Sequence, residues 1–545
     1  MPAKRKKCPY DPAFTEPYHI SRSKLAPGEA SLQPKPLGLS AENLLMNMRK
    51  PNKFISKSSY LSLIKCLRLF WTTFNEPSQI PPLEAGVQHR FDEGKTVEKY
   101  AHQLFTKGNT IDHSASFAET IAQSQSALKS ATINTPVYNA LITAHGLIAE
   151  VDILLPGTNG YDLYEVKSAT GVKDEYLPDI AFQKFVCRQA GLNICKCHLI
   201  TINSDYVRHG EIDPGGLFTV QVMDDLIEPH FSEVADNLKN ARANLGSAYP
   251  DVAIGPHCSS PYECPLMPVC WEGVLVNDGN IFTLTGLRSE KKWGLYNEGV
   301  LETVDVPANY KLNDKQVIQV QADRLKQPRV DHRSIHVFSK RMIFPLCFLD
   351  FETFAPAIPM FEGSSPYQQI PFQYSLHVQV ASNQKPALMD HHSWIWGGEG
   401  DPRKELLDRL EGLLGQVGSI VVYNAVFERM VLKQAVKVYP AYEDWLVGVL
   451  DRFVDLLEPF KAFHYYHPDQ HGSASIKSVL PALTDKSYED MDISNGTMAS
   501  TEYMRVMFGD GKDDRARVMS QLEEYCGLDT FGMVEILGRL RAISG

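Results

Sequence analysis

The feature that constrains this chain most is an apolar run that ends in acid, FPLCFLDFETF, residues 344–354. A continuous run of this kind suits a central strand buried on both faces. Strand side chains alternate with a period of two, so Asp350 and Glu352 leave the same face. Two carboxylates side by side at the end of a buried strand repel one another, and the arrangement is costly unless a cation sits between them. The run therefore predicts an α/β fold with a metal-holding strand end.

Three further stretches supply partners. SIVVYN, residues 419–424, runs straight into AVFERMVLKQAVKVY, where Phe427, Met430, Val431, Gln434, Ala435 and Val438 recur at helical spacing. This is a strand-to-helix turn with Asn424 at its corner. Glu428 falls in the first helical turn, where its charge suits the helix dipole. FVDLLEPF offers Asp455 at another strand end. In RARVMSQLEEYCGLDTFGMVEILGRL, Tyr525 and Asp529 stand one helical turn apart.

Asp-x-Glu on a strand, Asn with an acid at a strand–helix turn, and Tyr-x-x-x-Asp on a helix resemble a DnaQ-like exonuclease of the RNase H-like superfamily, in its tyrosine branch. The resemblance implies that Asp350, Glu352, Glu428 and Asp529 hold two divalent ions and that Tyr525 helps place a water. Glu428 stands where that family has Asp. Asn424 and Asp455 are auxiliary under this resemblance, though Asp455 is also a substitute ligand for Glu428. GSASIKSVLPAL resembles the helix that runs beside substrate, which makes Lys477 a phosphate-contact candidate against the reading of a plain surface lysine. His464, His467 and His471 have no evident fourth zinc ligand and read as loop residues. Phe372 and Tyr374 read as packing rather than base-stacking residues.

A second constellation lies upstream. LIAEVDILLPGTNGYDLYEVKSAT reads as two strands around a Pro-Gly-Thr-Asn-Gly turn. Asp152 lies on the first strand, and Glu165 and Lys167 share a face of the second. Carboxylates from adjacent strands hold Mg²⁺ or Mn²⁺ through oxygen. A neighbouring lysine orients water or offsets phosphate charge. Glu98 follows Gly94 on an apparent helix with Val97, Ala101 and Leu104, and Gln183 lies on a helix from about Pro178, available to face a substrate.

In this order the acids, Lys167 and Gln183 resemble a RecB-like PD-(D/E)XK nuclease. The resemblance implies metal ligation by Glu98, Asp152 and Glu165, with catalytic roles for Lys167 and Gln183. Relatives often have His where this chain has Glu98. The iron–sulfur branch of that group carries one cysteine before the nuclease core and three after it. Cys66 precedes Glu98 here, and Cys258, Cys264 and Cys270 follow Gln183. The resemblance implies a [4Fe–4S] cluster on these four, with a structural Zn²⁺ as the alternative. Cys8, Cys187, Cys195, Cys197, Cys347 and Cys526 read as packing or incidental.

The whole therefore divides into a basic, proline-containing leader at 1–50, a RecB-like iron–sulfur nuclease domain at 51–285, a connector at 286–341 and a DnaQ-like domain at 342–545. Residues 1–60 hold eleven Lys/Arg against four acids, whereas the chain as a whole carries −11. No run approaches the ~20 apolar residues of a membrane helix. The start of the chain lacks the apolar core of a secretory signal, so a cytoplasmic protein without a membrane partner is expected. The function expected is metal-dependent hydrolysis of nucleic acid in repair, recombination or defence against foreign DNA, with DNA placed ahead of RNA. The rivals are a nucleic-acid-binding protein with one lapsed centre and an RNA-directed exonuclease.

Overall fold

The computed structural model describes residues 54–82, 85–105, 107–272, 275, 278–509 and 511–544, without the side chains of residues 85 and 87–89. The leader and Cys8 lie outside the described residues. Residues 54–545 form one compact α/β unit built on two large sheets and a small two-stranded one.

The first sheet holds β1 (Ile55–Ser56), β2 (Asn109–Thr110), β3 (Val137–Ala144), β4 (Leu147–Pro156), β5 (Tyr161–Lys167), β6 (Ile194–Ile202) and β7 (Phe218–Val222). Its order is β2-β3-β4-β5-β6-β7, with β1 added alongside β4. The expected hairpin is present as β4 and β5, paired antiparallel. Gly160 makes its turn possible, because a Cβ there would come within 2.2 Å of the Asn193 carbonyl oxygen and its φ is +150°. Around the sheet lie α1 (Lys57–Lys65), α2 (Leu67–Asn75), α3 (Ala85–Ala101), α4 (Phe117–Ser130), α5 (Tyr176–Gln189) and α6 (Asp224–Asn244). The crossover between the parallel strands β5 and β6 runs through α5. Val151, Leu154, Leu163, Phe182 and Val186 fill the core between α5 and the sheet. A short helix, α7 (Met267–Trp271), follows α6.

The stretch expected to be a connector is folded. It contains α8 (Ser289–Asn297), α9 (Asp314–Leu325), β8 (Arg329–Val330) and α10 (His332–Ser339). Its own core joins Ile281, Leu284, Leu295, Val300, Val306 and Val320. Those apolar residues are spread through charged sequence with no sustained period, which hid the packing from a pattern reading.

The second sheet is built from β9 (Leu346–Phe354), β10 (Ile370–Gln379), β11 (Asp390–Ile395), β12 (Ser419–Val422) and β13 (Phe453–Asp455), in the order β11-β10-β9-β12-β13. A short strand, β14 (Tyr465–Tyr466), pairs antiparallel with β8 in a separate two-stranded sheet. Strand β9 is central: it runs antiparallel to β10 and parallel to β12. Its neighbours are close because Gly418 enters β12 at φ +89°, where a Cβ would meet the Pro345 carbonyl oxygen at 2.1 Å. Helices α11 (Pro402–Leu413), α12 (Ala425–Val438), α13 (Ile476–Leu483), α14 (Gly496–Phe508) and α15 (Arg515–Ser544) cover the sheet. The core unites Phe348, Leu349, Val421, Leu480 and Met533. Phe372 and Tyr374 belong to it, so both are packing residues as expected. Among the described residues, no helix is long and apolar enough to cross a membrane.

Candidate metal centres

In the second sheet the acids gather at one cleft of about 500 Å³. Strand β9 delivers Asp350 and Glu352, the first turn of α12 delivers Glu428, and α15 delivers Asp529. Ligand atoms of Asp350, Glu352 and Cys526 lie within 4.8 Å of one another. The Cys526 thiol, one residue after Tyr525, donates to Asp350 Oδ2 at 3.6 Å. Tyr488 donates its hydroxyl to Asp529 Oδ1 at 2.7 Å. Lys477 Nζ lies 4.2 and 4.4 Å from the ring centres of Tyr488 and Tyr525 and donates to the Tyr525 oxygen at 2.9 Å.

The electrostatics of this cleft are those of a site short of positive charge. Burial, then the carboxylate of Asp529, pushes Asp350 far above the usual carboxylate range. Burial, then Asp350 and Asp529, does the same to Glu352. Burial also raises Asp529, against the pull of Lys477 and the two tyrosines. Glu428 is pushed up to about 9 by burial and then by Asp350. Its Oε2 is a buried oxygen with no hydrogen-bond partner among the described residues. Leaving such an atom unsatisfied is expensive in a dry site. A set of hard oxygen donors, one of them orphaned and all raised first by burial, fits divalent cations of the Mg²⁺ or Mn²⁺ kind.

Asn424 sits at the corner before α12 with φ +75°, in the left-handed region. Asp455 holds that corner: its Oδ1 accepts the N–H groups of Asn424 and Leu457, each at 3.0 Å. It is not among the residues that line the cleft, though its charge adds to the rise of Glu428. Lys477 is no plain surface lysine, because it lines the cleft and is wedged between two aromatic rings. The histidines at 464, 467 and 471 are loop residues, and His467 Nδ1 accepts the Asp469 N–H at 3.2 Å.

The hairpin of the first sheet builds the second centre. The ladder between β4 and β5 ends at Ile153 and Tyr164. Beyond it, Asp152 Oδ2 accepts the Val166 N–H at 2.7 Å in place of a backbone bond. Glu165 points inward beside Leu163 and is 1% exposed. Its carboxylate takes Lys57 at 2.9 Å, Lys167 at 2.6 Å and Gln183 Nε2 at 2.6 Å. Lys167 also donates to Asp179 at 2.7 Å, and Gln183 to the other oxygen of Asp179 at 2.8 Å. Burial alone would raise the Glu165 carboxyl, but Lys167 and Lys57 hold it well below its ordinary value. Burial, then Glu165, raises Asp152, with Glu98 adding to the effect and the lysines opposing it. Glu98 lies on α3 and pairs with His102 at 3.4 Å. Gln183 does not face open space: it is fully buried and tethers Glu165 to Asp179. Lys57 and Asp179 were absent from the sequence reading. Asp179 carried a signal, one helical turn before Gln183, whereas Lys57 is brought in from 108 residues away.

The four cysteines expected to bind together line one small pocket. Cys66 sits in the break between α1 and α2, Cys258 and Cys264 flank a tight loop closed by the Cys264 N–H to the Cys258 carbonyl at 2.7 Å, and Cys270 lies on α7. Arg68 donates to Cys270 Sγ at 3.6 Å. Burial lowers the Lys65 ammonium, against the pull of Cys264, Cys258 and Cys66. Four thiols lining one pocket are the donor set of either a structural Zn²⁺ or an iron–sulfur cluster. Cys187, Cys197 and Cys347 are buried packing residues, and Cys195 is exposed.

A family model described as a domain of unknown function, DUF2779, matches residues 347–475. That segment begins on β9 and takes in Asp350, Glu352, Asn424, Glu428 and Asp455. A curated relative, "Uncharacterized protein MG366 homolog" of Mycoplasma pneumoniae, is 26% identical over 210 residues. The match covers 35% of this chain and 31% of the relative's length.

Proposed function

We propose that the chain is a metal-dependent nuclease with two phosphodiester-hydrolysing centres, acting on DNA ahead of RNA. The observation that carries this reading is the cleft at β9. Four carboxylates on three separate elements converge there, and one of them keeps a buried oxygen without a partner. The order of the second sheet, with the acid-bearing strand central and its first neighbour antiparallel, supports a DnaQ-like, RNase H-like domain. The hairpin with Asp152, Glu165 and Lys167, followed by the helix with Gln183, supports a RecB-like PD-(D/E)XK domain.

Asp350, Glu352, Glu428 and Asp529 would hold the ions of one centre, and Glu98, Asp152 and Glu165 those of the other. Bound there, divalent ions activate water and neutralise charge building on a phosphate. The protein's own groups do the positioning. Burial, then Asp529, keeps the Tyr525 phenol protonated far above its ordinary range. Lys477 donates to the phenol oxygen and the phenol hydrogen-bonds Asp529, so Tyr525 would position groups at the centre rather than take a proton from them. Lys167 is held cationic by Asp179 and Glu165 against the effect of burial, which suits a group that offsets phosphate charge. Cys66, Cys258, Cys264 and Cys270 would hold a [4Fe–4S] cluster that ties the start of the first domain to its end. The setting proposed is cytoplasmic DNA repair, recombination or defence.

A second reading has one observation in its favour. Glu165 is saturated by two lysines and Gln183, so if one centre has lapsed into nucleic-acid binding it is the N-terminal one. The test is hydrolysis of end-labelled single- and double-stranded DNA and RNA with Mg²⁺ or Mn²⁺, by the parent chain, Lys167→Ala, Asp350→Asn and the double variant. Each single variant is expected to lose part of the activity and the double variant all of it. Equal activity in the double variant and the parent would overturn the proposal.

A further inference from the structure

The cleft of the second sheet is not closed by that sheet's own domain. Helix α3, which carries Glu98 to the N-terminal centre, also reaches the β9 cleft, where Gly86, Arg90 and Glu93 join its lining. The fit is close: a Cβ on Gly86 would lie 2.9 Å from Thr497 Cγ2 on α14. The same helix is tied to the β9 side by Glu93, whose Oε1 accepts the Ala357 N–H at 2.7 Å. Arg90 and Glu98 are eight residues apart, about 12 Å along a helix axis.

Two cations line the cleft. Lys477 is committed to Tyr525 and the Ser494 carbonyl. Arg90 is exposed, and among the described residues no carboxylate pairs with it. A planar guanidinium with free donors beside a cluster of metal-suited acids is the group that holds a phosphate oxygen. We propose that Arg90 is a substrate-binding residue of the β9 centre that grips a backbone phosphate of the strand entering the cleft. The C-terminal centre is thereby completed by a helix of the N-terminal domain. This rests on the nuclease reading of the cleft.

The test uses the full chain. Binding of a fluorescein-labelled single-stranded oligonucleotide is followed by anisotropy over a potassium chloride series, on the combined Lys167→Ala and Asp350→Asn background. Arg90→Ala is expected to weaken binding roughly tenfold. It should also lower the slope of log affinity against log salt by about 0.7, the value for one phosphate contact on a single strand. Arg90→Lys keeps the slope while losing part of the affinity. Arg333→Ala, which removes the same charge from the exposed face of α10, leaves both unchanged. In turnover on the Lys167→Ala background, Arg90→Ala raises KM and spares kcat. Arg90→Ala indistinguishable from Arg333→Ala in affinity and slope overturns this inference alone, provided Asp350→Asn has lost part of the parent's cleavage. Cleavage by Asp350→Asn at the parent's rate, or no binding of the oligonucleotide by the parent, overturns the nuclease reading and this inference with it.

Discussion

Loading the β9 cleft with a divalent ion should expel protons, and Glu428→Gln should reduce their number. The Glu428 carboxyl is pushed up to about 9 by burial and then by Asp350. At pH 7 it is therefore about 99% protonated. A carboxylate must be ionised to bind a hard cation, so this residue alone releases close to one proton per ion bound. Two pH units below its midpoint, that release costs about 2.7 kcal/mol, or about a hundredfold in affinity at pH 7 relative to the fully ionised residue. Calorimetric titration with Mn²⁺ in two buffers of different ionisation enthalpy counts the protons. The parent should release about one more than Glu428→Gln at pH 7, and its affinity should climb about tenfold more per pH unit. The stability of the metal-free chain carries the opposite sign. Its folded state keeps a proton that the unfolded state gives up near pH 4.5, so stability falls as pH rises from there towards about 9. Added Mn²⁺ should then raise the melting temperature more at pH 8 than at pH 5.5. Equal proton release by the parent and Glu428→Gln would refute the reasoning.

Lys57→Met removes a cation from Glu165 and Asp179. On the Asp350→Asn background it should cut residual nuclease activity tenfold or more and destabilise the fold by about 1.5–3 kcal/mol; unchanged activity and melting would count against a role for Lys57. Tyr488→Phe deletes the hydroxyl that Asp529 accepts, so Mn²⁺ affinity at the β9 cleft should fall about five- to tenfold, corresponding to ~1–1.5 kcal/mol; an unaltered dissociation constant would place Tyr488 outside the site. Chain purified without oxygen should carry iron and sulfide, and Cys264→Ser should lose both together with part of its thermal stability. Stoichiometric zinc in the parent would overturn the cluster.

The elements that position the C-terminal acids were legible because strand and helix periods act locally. Period two puts Asp350 and Glu352 on one face, and one helical turn puts Tyr525 and Asp529 together. What escaped is what the chain brings in from a distance or hides in ordinary chemistry. Lys57 reaches Glu165 across 108 residues, and no local pattern announces such a contact. Tyr488 comes from a polar loop with no period. Cys526 was read as a packing residue, and it is buried, but its thiol also faces Asp350. Gln183 was expected at a substrate surface because its helix was visible and the depth of its burial was not. The folded region at 286–341 lacked a pattern because its small core draws single residues from several short elements. Arg90 lies on a helix whose other end carries an expected site residue, and only packing of α3 against α14 turns it towards the β9 cleft.

The most direct test of the account is the product ladder made by Lys167→Ala from single-stranded DNA labelled at either end. With only the β9 centre intact, Mn²⁺ should yield stepwise shortening from the 3′ end. Chelator should stop it, and Asp350→Asn added to the same chain should abolish it. A ladder that survives in the Asp350→Asn combination, or no cleavage by Lys167→Ala with either metal, would contradict the assignment of that cleft as a phosphodiester-hydrolysing centre.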